Sequence, residues 1–411
     1  IDYFYQMKNR FLLLLYFTSF LSIAQVTITG TVFEKNNPLE GVAVYFNNTT
    51  VGTTTDLNGE FSIKIKEGKY DLIISYLGFQ KINYSLNTEI YKKPLVFNLE
   101  EESNTLKEII IRKTVYDDEW KYNLSTFKRE FIGITALSRD CKILNPEVLY
   151  FDFDVKNNIL TAIARKPLKI KHKSLGYEIT YELENFTIHK NSVTYLGYSR
   201  YKNLEGSKRK QRKWDKNRLK AYNGSSMHFF QSLIKNTTYE DGFLIHQFKR
   251  VVNPERPSEE EIKKARELVQ LNKEILNSFK VIDSSDSVLA AALLVLDKVH
   301  LPKFKDYLYK SKTPVNEIIS KKNDVFYLDF ENNISVVYTK EVEEIGFITR
   351  NAFSKLRKPL PQTSAVIPLK FPSILDKNGT LVSPLDVFYE GYWSYEKFAD
   401  TLPLDYIPTT K

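Results

Sequence analysis

Thr53-Thr-Thr-Asp-Leu-Asn-Gly-Glu-Phe61 and Gly68-Lys-Tyr-Asp-Leu-Ile-Ile-Ser-Tyr-Leu-Gly-Phe79 decide how the N-terminal part of this chain is read. Asn58-Gly59 is a tight-turn pair, because both residue types reach positive φ at low cost. Phe61-Ser-Ile-Lys-Ile65 then alternates apolar and polar, the period of a strand with one buried face. Gly68 turns the chain into a second strand at Tyr70, and Gly78 turns it again. The same pattern extends in both directions. Val26-Thr-Ile-Thr-Gly-Thr-Val32 and Val42-Ala-Val-Tyr-Phe46 precede the stretch, and Leu95-Val-Phe-Asn-Leu99 follows it. About seven short strands with regular turns predict an antiparallel β-sandwich over 25–100.

The segment before it reads as an export signal. Met7-Lys-Asn-Arg10 is a basic start, Phe11 to Leu21 an apolar run, and Ser22-Ile23-Ala24 a small-residue cleavage site before Gln25. Residues 1–24 are therefore expected to be a signal peptide, with 1–6 a spurious extension ahead of Met7. The run is too short to span a bilayer, so no transmembrane segment is expected after cleavage. Cys141 is the one cysteine. It excludes an intrachain disulfide and a cysteine-based metal site, and no Cys follows the cleavage site to carry a lipid.

The ordered series Gly30-Thr-Val32, Pro38-Leu-Glu-Gly-Val-Ala-Val44, Thr54-Thr-Asp-Leu-Asn-Gly-Glu-Phe61 and Tyr76-Leu-Gly-Phe79 resembles the carboxypeptidase-regulatory-like domain. The resemblance implies a transthyretin-like, or prealbumin-like, sandwich that acts as an accessory module and brings no catalytic residue. It also implies an exported protein of a Gram-negative bacterium, periplasmic or associated with the outer membrane. In related exported proteins a strand similar to Leu106-Lys-Glu-Ile-Ile-Ile-Arg112 precedes a plug and a large barrel. The residues after Arg112 are expected to be too few for a barrel of about 22 strands of about 10 residues each. Cys141-Lys-Ile-Leu-Asn-Pro-Glu147, Tyr222-Asn-Gly-Ser-Ser-Met-His-Phe-Phe230 and the C-terminal tail are similar to segments of exported bacterial proteins that share the front sandwich.

Residues 101–114 read as an acidic linker and a strand, and 115–411 as an α+β domain with an antiparallel sheet and a few helices. The chain is thus expected to be mostly β. Leu124, Phe127 and Phe131 share a helix face. Val148 to Val155 and Ile159 to Ala164 form a hairpin about Asn157-Asn158. Tyr177–Leu183, Phe186–His189 and Ser192–Tyr201 continue as strands, and Val325–Phe330 with Ile334–Thr339 reads as a further hairpin. Ser258-Glu-Glu-Glu261 is a capping box that opens a helical insertion over 258–280. Val288 to Leu296 is apolar throughout, so period alone leaves its structure open.

The formal charge of +9 is concentrated rather than spread. Arg200 to Lys220 holds ten Lys/Arg against Glu205 and Asp215. Such a local patch argues against a nucleic-acid binder and for contact with an anion. Lys208, Arg209, Lys210, Arg212, Lys213 and Trp214 are the candidate anion or glycan contacts, with Tyr198, Tyr201 and Tyr222 interleaved as stacking surfaces. Export directs the expectation to anionic lipid, acidic glycan or another envelope protein. The plainer reading, a solvated and mobile loop, is the one such charge runs usually carry and is favoured over anion contact.

Catalytic patterns are weak. His172, His189, His228, His246 and His300 carry none of the His/Glu spacings of a zinc peptidase. Ser225, Ser226 and His228 lack a nucleophile elbow and fit a helix start instead, with Asn223 or Ser225 as cap. Asp56-Leu-Asn-Gly59 places its glycine too early for a calcium loop and reads as a turn. Asp152 and Asp154 share an exposed strand face. No cofactor or metal is expected. The leading expectation is a non-enzymatic envelope protein whose sandwich serves interaction or spacing. The alternatives are a glycan- or peptide-active enzyme with its site in the second domain, and a glycan-binding module.

Overall fold

Ten residues of alternating pattern form the first strand, β1 (Gln25–Glu34), which organises one half of the N-terminal sandwich. The structure, a computed structural model, describes residues 25–102, 115–190, 192–271, 287–323, 325–350 and 356–409. The expected signal peptide and the strand expected at Leu106–Arg112 lie outside the described residues.

β1 lies between β2 (Asn37–Pro38) and β5 (Glu60–Lys66), with β8 (Leu95–Asn98) parallel to it. The second sheet runs β4-β3-β6-β7, from β3 (Ala43–Phe46), β4 (Gly52–Thr54), β6 (Lys69–Ser75) and β7 (Ile82–Asn87). Eight strands thus stand where about seven were expected, the additional pieces being short. Phe61, Ile63 and Ile65 point inward and meet Val44, Phe46, Leu72 and Ile74 from the facing sheet. Each such side chain contributes about 1.5–3 kcal/mol on burial. The turn before β5 is built by Asp56, whose Oδ1 accepts from Asn58 N (2.9 Å) and Glu60 N (2.8 Å). Gly59 alone of the pair takes positive φ, at +71°.

Beyond residue 115 the chain builds two further cores. Helix α1 (Asp118–Phe131) starts at Asp117, whose side chain accepts from Trp120 N, and buries Phe127 and Phe131. It lies against a six-stranded sheet of β9 (Cys141–Ile143), β10 (Leu149–Asp154), β11 (Ile159–Ala164), β12 (Leu168–His172), β13 (Tyr177–His189) and β14 (Ser192–Asn203). The expected hairpin is β10–β11, in register from Leu149 opposite Ala164 to Asp154 opposite Ile159. The strands expected at Tyr177–Leu183 and Phe186–His189 are one strand. A bulge between Leu183 and Asn185 bends it without ending it. One edge of β13 carries β12 and β11 in succession, and the other carries β14.

After β14 come α2 (Lys208–Tyr222), α3 (Ser226–Lys235) and the one-turn α4 (Thr238–Asp241). The next core packs α3 against a sheet of order β16-β15-β19-β20-β22. Its strands are β15 (Phe243–Val252), β16 (Phe304–Lys310), β19 (Asn333–Val342), β20 (Pro361–Pro368) and β22 (Val387–Gly391). A separate small sheet joins β17 (Ile319–Lys322), β18 (Val325–Leu328) and β21 (Ser373–Leu375). This corrects the expected hairpin of Val325–Phe330 with Ile334–Thr339. Asn332 takes φ +57°, and the chain leaves the small sheet at that turn to enter the large one.

Between β15 and β16 stand α5 (Glu259–Leu271) and α6 (Ser287–Asp297). The capping box is present: Glu261 N donates to Ser258 Oγ (3.2 Å), and Ser258 N donates to Glu261 Oε2 (2.7 Å). The apolar run Val288–Leu296 is helical, with Leu289 and Ala292 buried. The short α7 (Ile345–Ile348) and α8 (Tyr392–Tyr395) precede the tail. That tail crosses back, so Trp393 serves the core of the large sheet while Phe398, Ala399 and Leu402 serve the core under α1.

Candidate functional site

The basic segment is helical from Lys208 to Tyr222. Lys, Arg and Gln are good helix formers, so their density does not oppose the helix. Its inward stripe is Trp214, Arg218, Ala221 and Tyr222, at helical spacing. Trp214 is 7% exposed, and its Nε1 donates to Lys173 O (2.8 Å). The ring covers Gly176, where φ is +74° and a Cβ would lie 2.3 Å from the indole. Arg218 lies over the Tyr177 ring at 4.1 Å and donates to Leu175 O (2.8 Å), Gly176 O (3.3 Å) and Asn203 Oδ1 (3.1 Å). Asn217 Nδ2 donates to Ser174 O (2.8 Å). The helix is thereby fixed on the turn between β12 and β13.

This corrects one part of the candidate contact set. Trp214, Tyr201 and Tyr222 are buried and present no stacking surface. Trp214 needs a partner for its N–H and a cover for its ring, and the glycine-bearing turn supplies both. Lys208, Arg209, Lys210, Arg212 and Lys213 remain exposed on the outer face, together with Lys216. None of the six has an ion pair among the described residues. No acid stands in the first turn, so cations crowd the positive end of the helix dipole.

The sandwich docks on the second unit beside this helix. Tyr45 OH donates to Glu182 Oε1 (2.8 Å), Ser75 Oγ donates to Glu182 Oε2 (3.2 Å), and Lys81 pairs with Glu182 (2.7 Å) and with Glu184. Backbone bonds extend the contact: Asn48 N to Ser199 O (2.7 Å), Tyr201 N to Thr49 O (2.9 Å) and Leu404 N to Asn48 O (2.7 Å). Thr50 N donates to Asp405 Oδ1 (2.9 Å). A cavity of about 200 Å³ lies at this junction, lined among others by Thr50, Asn203, Asp215, Arg218 and Asp405.

On the other side of α2 four carboxylates converge from distant parts of the chain. Asp400 accepts from Thr135 Oγ1 (2.9 Å) and Lys397 N (3.2 Å). Glu344 accepts from Ala136 N (3.1 Å) and Tyr395 OH (3.4 Å), and pairs with Lys220 (3.2 Å). Glu341 accepts from Gln362 Nε2 (3.4 Å). Burial pushes the Asp400 carboxyl up to about 7, and Thr135 and the Lys397 N–H oppose that rise. Burial, reinforced by the charges of Asp400, Glu341 and Glu344, holds Glu396 well above the usual carboxylate range. Burial also raises Glu341. None of the four lines the junction cavity.

The expected helix start is observed. Ser225 caps α3, accepting from His228 N (3.2 Å) while its hydroxyl donates to Tyr222 O (2.7 Å). His228 is buried among Tyr222, Phe243 and Tyr338, and burial lowers it to about 4. His172 is also buried, with Nε2 against Ala399 O (2.9 Å) and Nδ1 accepting from Leu175 N (3.2 Å). Asp154 accepts from Asn157 N (3.1 Å) and so closes the β10–β11 turn. Among the described residues no group of three or more His, Cys, Asp or Glu is placed to hold a metal ion.

Residues 28–111 match the model of the CarboxypepD_reg-like domain. The front sandwich is a carboxypeptidase-regulatory-like domain. Over 105 residues, 25% of this chain, the protein is 31% identical to TonB-dependent receptor P39 of Formosa agariphila. The chain spans 10% of that receptor's length. The described residues behind the carboxypeptidase-regulatory-like domain form antiparallel sheets of six, five and three strands together with helices. No helix among the described residues is long and apolar enough to cross a membrane.

Proposed function

We propose that this chain is a non-enzymatic protein of the Gram-negative cell envelope, exported to the periplasm or the outer membrane, that adheres to anionic lipid through α2. The observation that carries the reading is the outer face of α2. Five cations, Lys208, Arg209, Lys210, Arg212 and Lys213, stand exposed without an ion pair among the described residues. An exposed basic face of this kind attracts a negatively charged surface at about 1 kcal/mol per cation. Acidic glycan is the weaker choice, because Trp214 and Tyr222 are turned inward and leave no stacking platform on that face. The likeness of the front domain to part of a TonB-dependent receptor supports an envelope location. In this reading the sandwich is an accessory part docked through Glu182, not a free spacer. The engagement of Ser225, His228 and His172 in caps and cores supports a non-enzymatic role.

Vesicle co-sedimentation tests it. The protein should sediment with vesicles of phosphatidylethanolamine and phosphatidylglycerol, and salt should release it as screening shortens the reach of the charges. Replacing the five cations by Gln should lower retention at least about tenfold. Equal retention on vesicles of neutral phosphatidylcholine, or full retention by the five-fold variant, rejects the proposal.

A further inference from the structure

From Val288 to Leu296 every residue of α6 is apolar, and no polar side chain stands between Ser287 and Asp297. A helix apolar on every side belongs in a core or in lipid. Here one side alone is covered. Leu289 and Ala292 are buried, and so are Ile262 and Ala265 of α5, which packs against α6. The far side carries Ala290, Ala291 and Leu294, with Val288 at its border. All four are exposed, Val288 to 59% and Leu294 to 66%. α5 is the opposite kind of helix. It pairs Lys264 with Glu260 (2.9 Å) and Lys263 with Glu267 (4.0 Å), a surface suited to water. The chain that leaves α6 is fixed against the end of β15, where Asn253 N donates to Lys303 O (3.0 Å) and Asn253 Nδ2 to Pro302 O (2.9 Å). Lys298 and Lys303 are exposed there and have no ion pair among the described residues. Phe304 and Tyr307 follow on β16, both exposed, and Val252, opposite Phe304, is exposed as well. Apolar surface of this kind with a polar rim marks an interaction site.

We infer that the exposed side of α6 inserts among the acyl chains of an anionic bilayer, with Lys298 and Lys303 at the headgroups. The inference rests on the membrane contact proposed above, though not on α2 as the element that makes it. Charge selects lipid over a second copy of the chain. Two copies meeting on this side would bring the same unpaired lysines together, whereas phosphate headgroups complement them. Length sets the depth. α6 has 11 residues, about 16 Å of helix, against about 30 Å of hydrocarbon, so it lies in the interface and does not cross. The border fits that depth, because lysine stems and aromatic rings are the groups that bridge acyl chains and headgroups. α5 then covers the water side of α6 with its ion pairs.

Leu294→Trp places a reporter at the middle of the exposed side, away from the native Trp120, Trp214 and Trp393. With vesicles of phosphatidylglycerol and phosphatidylcholine its emission should shift to the blue, and acyl-brominated lipid should quench it well beyond the parent protein. Leu294→Asp should lower vesicle retention at high salt, where the cations are screened, about tenfold or more. Its melting temperature should stay at the parent value, since the side chain is exposed. Quenching that survives replacement of the five α2 cations by Gln supports the insertion even where adherence through α2 fails. Unquenched Leu294→Trp emission overturns the insertion, and salt-sensitive sedimentation through α2 can still be observed in that case. A blue shift that grows with protein concentration in the absence of lipid assigns the face to a second copy and likewise overturns it.

Discussion

Two joints hold this molecule together, and they bury charge in opposite ways. Where the sandwich meets the second unit, Glu182 lies among Tyr45, Ser75 and Lys81, so a carboxylate is covered together with its donors. Where the C-terminal tail returns, Glu396 and Asp400 are covered beside two more acids, and Lys220 reaches only Glu344. Glu182 is ringed by its donors, whereas at the tail burial outweighs the hydrogen bonds from Thr135 and Lys397 N and favours the neutral form of Asp400. The first joint is broken by deleting a partner. The second is broken by changing the pH.

The largest effect is expected at the tail. Asp400 titrates at about 7 in the folded protein against 3.8 as its ordinary value. The folded chain therefore holds a proton that the unfolded chain releases. The associated stability is fully present below about pH 4 and is lost as pH rises through about 7. The difference amounts to as much as about 4 kcal/mol. Glu396 shifts in the same direction. Asp400→Asn should flatten the decline and be more stable than the parent at pH 8, as measured by denaturant unfolding at pH 5 and pH 8. A parent equally stable at both values removes the contrast between the joints.

The sandwich joint should give a smaller effect, and the probe for it is mutation. Glu182→Ala leaves Tyr45 and Ser75 without their acceptor and strips Lys81 of one of its two acids. The expected cost is about 1–3 kcal/mol. Calorimetry should resolve two transitions in the variant, because the sandwich has its own core and loses its coupling to the rest. A single transition at the parent temperature would mean that the backbone bonds at Asn48 and Thr49 hold the joint alone.

The joints also differ in how far sequence discloses them. The sandwich was legible because Phe61, Ile63 and Ile65 alternate with polar neighbours and Asp56 to Gly59 spell a turn. Its docking face was not, since Tyr45 is an ordinary strand residue until Glu182 of β13 meets it. The tail carboxylates are farther from view. Glu341 and Glu344 lie more than fifty residues before Glu396, and only the four-residue spacing of Glu396 and Asp400 hints at a shared face. The hairpin misread at Val325–Thr339 failed for a related reason. Alternation marks strands, but it does not name the sheet each one joins. Trp214 was the recoverable error. Trp214, Arg218, Ala221 and Tyr222 repeat at helical spacing, and that period outweighs the charge around them.

The smallest effect concerns α2, the element between the two joints, and its sign is the informative part. Lys208, Arg209 and Lys210 form its first turn, where cations face the positive end of the dipole and repel one another. If they stabilised the fold, replacing them would lower the melting temperature. Because the helix is fixed from its inner side by Trp214, Asn217 and Arg218, their removal costs no contact. Substituting all three by Gln should therefore raise stability by about 0.3–1 kcal/mol in thermal unfolding at low salt. The same variant should lose adherence to phosphatidylglycerol vesicles. A gain in stability with a loss of adherence marks cations retained against the interest of the helix, whereas a fall in both would return α2 to a purely structural role.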